Sequence, residues 1–146
     1  MPVRVRLRIR NRLSVDENVA ESIALVGSGF EADTPQILVP MKLAEVLGLY
    51  SRLLEARIES YGIPAGPVRM YVLPSSLEVW IVEDDVETNK VVCDAVISNI
   101  EEEVLISDYL AGELEIIVED LKNGVWRLKV DSPEERRRIY SPQYWR

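Results

Sequence analysis

The sequence predicts a mostly β protein, a barrel or sandwich in one domain, on three observations. Val and Ile supply 31 of the 146 residues, and β-branched side chains favour the pleated surface of a sheet. Short apolar runs are separated by turn-forming residues at close spacing. Only two short segments read as helix, so the strands have few helices to pack against them. A chain of this length can bury roughly two thirds of its unfolded surface, enough for a core without staples.

The elements follow in order. Val3, Val5, Leu7 and Ile9 alternate with arginines, which gives residues 3–9 one apolar and one cationic face. Ser22–Val26 is a second strand and stops at Gly27-Ser28-Gly29. Ile37–Val39 is a short apolar strand. Pro40 then opens a helix over Met41–Leu47 from the first-turn position that tolerates proline, and Gly48 stops it. Leu53–Tyr61 fits a helix or a strand. Gly62–Pro67 reads as a turn, and 67–73 alternates as a strand. Pro74-Ser75-Ser76 breaks the chain. Leu77–Val86 and Lys90–Ser98 pair across a turn at Glu87–Asn89. Val104–Ile106 is a short buried strand, and Ser107-Asp108 are cap types for a helix near Tyr109–Leu114. Glu115–Glu119 and Val125–Val130 flank Asn123-Gly124, a strong hairpin signal. Asp131–Arg146 reads as a polar, proline-punctuated C-terminal extension of the single 1–146 domain.

Composition excludes several chemistries. The chain has no histidine and one cysteine, Cys93. That removes Ser-His-Asp and Cys-His catalysis, histidine-ligated zinc and any cysteine metal cluster. Acid–base work would fall to carboxylates, Lys or Tyr. Net charge is −8, and residues 1–12 carry five arginines and no acid, so the rest is more acidic still. An acidic body argues against nucleic-acid binding. No apolar run reaches the length of a membrane span, and no leader is expected, so the reading is a cytoplasmic protein. Scarce Gln with plentiful Glu and Arg points to a thermophile.

The order of motifs carries a resemblance. Ile23-Ala24-Leu25-Val26 leads into Gly27-Ser28-Gly29-Phe30. A second strand ends at Val39-Pro40 and is followed by Leu43-Ala44-Glu45-Val46-Leu47-Gly48-Leu49. This resembles the retropepsin-type aspartic proteases, whose pattern runs Ala-Leu-Val-Asp-Thr-Gly-Phe, then a strand ending in proline, then Leu-Ala-x-x-Leu-Gly-Leu. Gly62, Ile63, Pro64, Ala65 and Gly66 stand where the family's flap has its glycine-rich tip. Leu105, Ile106, Ser107 and Asp108 match its second apolar signature, and the residues to Leu114 match the helix after it. The resemblance spans roughly residues 20–120. It implies a small closed β-barrel that works as a homodimer. It also implies a peptide-binding cleft beneath the flap, with no cofactor and no metal. A peptide or protein partner is expected, and neither nucleic acid nor membrane.

The departures from the family bear on activity. The family's Asp-Thr/Ser-Gly motif reads Gly27-Ser28-Gly29 here, and Ser107 stands where glycine is usual. An aspartic protease needs two carboxylates about 3 Å apart sharing a proton. Each subunit of a twofold dimer gives one, so one change removes both. The expectation is a protease-like homologue without standard catalysis, in which Ser28 keeps a structural role at the dimer centre. The alternative is an active endopeptidase using an unconventional acid such as Asp33, in Asp33-Thr34-Pro35. Proline lacks the N–H and the backbone freedom of the motif's glycine.

The remaining charged and aromatic groups read as structural. Asp108 suits a helix cap, and Glu31, Asp84-Asp85 and Glu101–Glu103 suit solvated turns. The arginine stripe suits an edge strand, with Glu113, Glu115, Glu119 and Asp120 as cross-strand partners. Arg136–Arg138 suits an exposed tail. Tyr140, Tyr144 and Trp145 are expected to pack on the body, Cys93 in the interior, and Trp80 and Trp126 in the core or an interface.

Overall fold

The alternating N-terminal segment forms β1 (Arg4–Asn11), and its period of two sorts the side chains by face. Val5, Leu7 and Ile9 are fully buried, and the arginines occupy the other face. The computed structural model describes residues 2–63 and 66–146. After β1 come β2 (Val19–Leu25), β3 (Gln36–Pro40), α1 (Met41–Val46), a 3-10 turn (Tyr50–Glu55), β4 (Arg57–Ile63) and β5 (Gly66–Ile81). Then follow β6 (Val91–Ser98), β7 (Val104–Ile106), α2 (Asp108–Glu113), β8 (Ile116–Asp120) and β9 (Val125–Leu128).

Six strands close into a barrel in the order β1, β2, β7, β3, β6, β5, and β5 returns to β1. β1 is antiparallel to both neighbours, with Arg6 opposite Ile23 on β2 and Ile9 opposite Val79 on β5. β7 lies between β2, to which it is parallel, and β3, to which it is antiparallel. The chain leaving β2 and the chain entering β3 therefore flank the same short strand.

The barrel interior holds the main core, to which Ile37, Val39, Ala95 and Ile97 point. The residues between them, Leu38 and Val96, point the opposite way. They join Met70 and Val72 in a second, smaller apolar cluster on the outer face. Apolar side chains on both faces are what a strand covered on both sides requires. Phe30, Tyr61, Val68 and Leu105 pack against this outer cluster. Tyr61 and Val68 come from the β4–β5 hairpin, which extends off the barrel.

Several elements differ from the sequence reading. Pro74-Ser75-Ser76 does not break the strand. β5 continues through it as a bulge, with a register shift between Leu73 and Leu77 and φ +52° at Ser75. A bulge tolerates both the missing proline N–H and an unusual φ, and it bends the strand. Leu53–Tyr61 resolves into both options, dividing at Ala56 into the 3-10 turn and β4. β4 and β5 take Gly62, Ile63, Gly66 and Pro67 into their ladder, so most of the expected turn is strand. Pro64 and Ala65 lie outside the described residues. Pro40 is the N-cap of α1 and the last residue of β3, one position earlier than expected. Leu77–Val86 ends as a strand at Ile81, with one further bridge between Val82 and Glu87.

β1 is not an edge strand, since β2 and β5 pair with its two sides. Its arginines find other acids than expected. Arg4 pairs with Glu103 at 2.5 Å, Arg8 lies 4.0 Å from Glu21, and Arg10 pairs with Glu78 at 3.1 Å. Arg6 lies near Glu21, Glu83 and Asp84. Glu119 instead pairs with Arg127 and Arg136 on its own hairpin and the tail.

The extension after Val130 carries no strand or helix and packs on the body. Arg137 is half-buried rather than exposed, with its side chain largely covered. It donates to both oxygens of Asp131 and both oxygens of Asp85. Tyr140 donates its hydroxyl to Glu83 at 2.8 Å. The Gln143 side chain accepts from the backbone N–H of Ile23, and Trp145 Nε1 donates to Ser22. Trp126 lies in the core, and Trp80 is buried beneath Lys90, whose ammonium sits 4.6 Å from its ring centre. Among the described residues no helix is long and apolar enough to cross a membrane.

Candidate functional site

The loop after β2 is built on two left-handed glycines. Val26 is the last buried residue before the chain emerges, and Gly27, Ser28 and Gly29 are all exposed. Gly27 and Gly29 have φ of +74° and +84°, a region where a Cβ is costly. The two positions differ in their surroundings. A Cβ at Gly29 would meet nothing within 4 Å, whereas one at Gly27 would lie 2.7 Å from Leu121 Cδ2. Leu121 belongs to the turn between β8 and β9. The position where the resemblance puts an acid therefore has no carboxylate, and a side chain there would have to displace Leu121.

The second signature is tied to this loop by short bonds. Leu105 faces the outer cluster and Ile106 the main core. Ser107 is fully buried. Its hydroxyl accepts from the N–H of Leu110 at 3.1 Å and from the N–H of Gln36 at 3.0 Å, and its own N–H donates to Gln36 O. Ser107 thus caps α2 and holds the start of β3. Asp108 is not the cap. It is the exposed first helical residue, where a carboxylate suits the helix N-terminus. The N–H of Asp108 donates to the carbonyl of Phe30.

Asp33 is exposed and lines an open depression with Glu31, Ala32, Asp108 and Tyr109. Its neighbour Thr34 is engaged in a polar network that the sequence reading missed. The Thr34 hydroxyl donates to Asp94 Oδ2 at 2.8 Å. The N–H of Ser75, in the β5 bulge, donates to Asp94 Oδ1 at 2.7 Å, and Gln36 Nε2 lies 3.5 Å from Oδ2. Asp94 is only 8% exposed. It fastens the loop before β3 to the bulge. Tyr61 extends the network from the hairpin, donating to Gln36 Oε1 at 3.3 Å. Its hydroxyl pKa is pushed up to about 12, first by burial and then by the carboxylate of Glu59. One signal could have found this network. Asp94 interrupts the apolar run Val91–Ser98, and a charge inside a buried strand needs partners.

The loop and the hairpin meet directly. Phe30 stands edge-on to Tyr61, with ring centres 6.3 Å apart and planes at 80°, a favourable aromatic geometry. The structure therefore brings together Phe30, Leu105, Tyr61 and the Gln36–Asp94 network around one outer cluster. Gly62, Ile63 and Gly66 continue the same hairpin, and Pro64 and Ala65 are outside the described residues. Cys93 is buried in the main core, and burial pushes its thiol well above its ordinary pKa, so it is not a nucleophile. Among the described residues, no group of three or more Cys, Asp or Glu is placed to hold a metal ion.

No protein-family model matches the chain, and no curated protein matches it. The arrangement offers an apolar, aromatic-lined surface beside a strand hairpin, with acids on its rim. Gly27, Ser28 and Gly29 carry no carboxylate, and the acids that follow on the same loop are Glu31 and Asp33.

Proposed function

We propose that the chain is a retropepsin-like aspartic-protease homologue that has lost standard catalysis. It works as a homodimer and binds a peptide or partner protein in extended form beside the β4–β5 hairpin. Such binding pairs backbone with a strand edge and needs no carboxylate dyad. The observation that carries the reading is Gly27, exposed, left-handed and pressed by Leu121 at the motif's acid position. The surroundings support it. β7 threads between β2 and β3, and Asp108 and Ser107 bond to the loop and to β3. Tyr61 brings the hairpin against Phe30. A cytoplasmic setting and a thermophilic source belong to the same proposal. They rest on the single thiol and on the arginine–carboxylate pairs that cover the barrel.

Cleavage of a denatured protein substrate from acid to neutral pH, at raised temperature, tests the reading. Wild type and Asp33→Asn are both expected to leave the substrate intact. Cleavage by wild type that disappears in Asp33→Asn would overturn the reading and move catalysis to the longer loop.

A further inference from the structure

The outer cluster is already occupied by an aromatic ring of the chain itself. Phe30 is the single phenylalanine in the sequence. It is only partly buried, packs on the Leu38–Met70–Val72–Val96 floor, and meets Tyr61 edge-on. It follows immediately after the two left-handed glycines, and a Cβ at Gly29 would touch nothing. The Phe30 carbonyl is held by the N–H of Asp108, so displacing the ring is a movement of the side chain. We propose that Phe30 fills, in cis, a subsite that takes one aromatic side chain of an extended, cationic peptide. This rests on the peptide-binding reading above and names its ligand class.

Two features set the chemistry of the ligand. The floor is wholly apolar, and the wall presented by Tyr61 accepts a ring edge-on, so an aromatic side chain reproduces the contacts Phe30 makes. The rim is acidic. Glu31, Asp33 and Asp108 line the adjoining depression, and none of them forms an ion pair among the described residues. Glu31 and Asp33 stand one and three residues beyond Phe30 on the same loop. A Lys or Arg two residues from the peptide's aromatic residue, on the same face of an extended chain, would supply the counter-charge these acids lack. The ligand must displace Phe30 to enter, so the wild-type affinity is reduced by the cost of that displacement.

Fluorescence anisotropy with the labelled probe acetyl-Lys-Val-Phe-Val-Lys-amide tests this on the full chain. Phe30→Ala is expected to bind the probe about tenfold tighter than wild type, since it removes the competing ring. Phe30→Leu should fall between the two. A probe with Ala for the central Phe should show no gain. A probe with Glu for both Lys should bind more weakly than the parent. Glu31→Gln with Asp33→Asn should weaken that charge preference together with its salt dependence, leaving the share owed to Asp108. Thermal melts confirm that each variant is folded; if Phe30→Ala is not, Phe30→Leu carries the comparison. Tightening that persists with the Ala probe, or no tightening in a folded Phe30 variant, overturns the inference. Peptide binding indifferent to Phe30 would leave the peptide-binding reading standing. Absence of binding by every probe to every variant would remove both.

Discussion

Gly27 holds a left-handed backbone, and a Cβ there would stand 2.7 Å from the end of the exposed Leu121 side chain, which would have to shift. Gly27→Ala should therefore cost about 1–2 kcal/mol. Leu121→Ala in the same chain should return the steric part, as urea denaturation would read. Arg137 is the second decisive residue. Its guanidinium holds the carboxyls of Asp131 and Asp85 below their ordinary value of 3.8. A depressed carboxylate pKa stabilises the fold above the unfolded value, and that contribution is lost as pH falls through the folded one. Arg137→Ala should cost about 2 kcal/mol at neutral pH through the Asp131 contact. Its melting curve against pH should approach wild type as acid protonates these carboxyls and the contribution is lost. Tyr61 behaves in the opposite sense. Its raised pKa stabilises the fold below pH 10, and the contribution fades as pH rises toward about 12. Tyr61→Phe should remove that alkaline slope from the melting profile. None of these roles was legible in the sequence. A run such as Arg136–Arg138 does not say which guanidinium is buried, and a glycine does not show what presses on it.

At the scale of elements, local pattern was a good guide wherever one face met the core. The alternation in β1, the apolar run of β7 and the Asn123-Gly124 hairpin all lie where the sequence places them, because a one-residue slip would expose every core side chain. Pattern failed where a second layer intervened. Pro74-Ser75-Ser76 reads as a breaker, yet the barrel absorbs it as a bulge fastened by the Ser75 N–H to Asp94 and by the Ser76 hydroxyl to Leu73 O. The pairing of β1 with β5 spans some seventy positions, which no local signal reports, so β1 reads as an edge. The Asp94 network lies on the outer layer, where β3, β5 and β6 meet the loop, and was missed for the same reason. Ser107 serves two elements at once, so Ser107→Ala should cost more than the roughly 1 kcal/mol of a cap alone, because it also orphans the buried N–H of Gln36. Comparing Ser107→Ala with Ser107→Gly by thermal melting separates the terms, since glycine restores most of the cap's worth and none of the Gln36 bond.

For the whole molecule, the barrel fixes what the site can be. Closure of six strands places the glycine loop, the second signature and the hairpin around one outer cluster. A mostly β barrel, the two short helices and the order of elements were legible in the sequence. The path of the tail was only partly so: Tyr140 and Trp145 pack on the body as read, Tyr144 is exposed instead, and the partners Glu83 and Ser22 are distant in sequence. We propose that a protease scaffold persists here without its acid. The most direct measurement is cleavage of a denatured substrate between acid and neutral pH by the double variant Gly27→Asp, Leu121→Ala. The second change makes room for the new side chain, and aspartate tolerates a left-handed backbone better than most residues. Wild type is expected to be inactive, and the double variant to gain an acid-optimal cleavage that is lost when Asn takes the place of the new Asp. A folded double variant that forms dimers and still cleaves nothing would contradict the proposal.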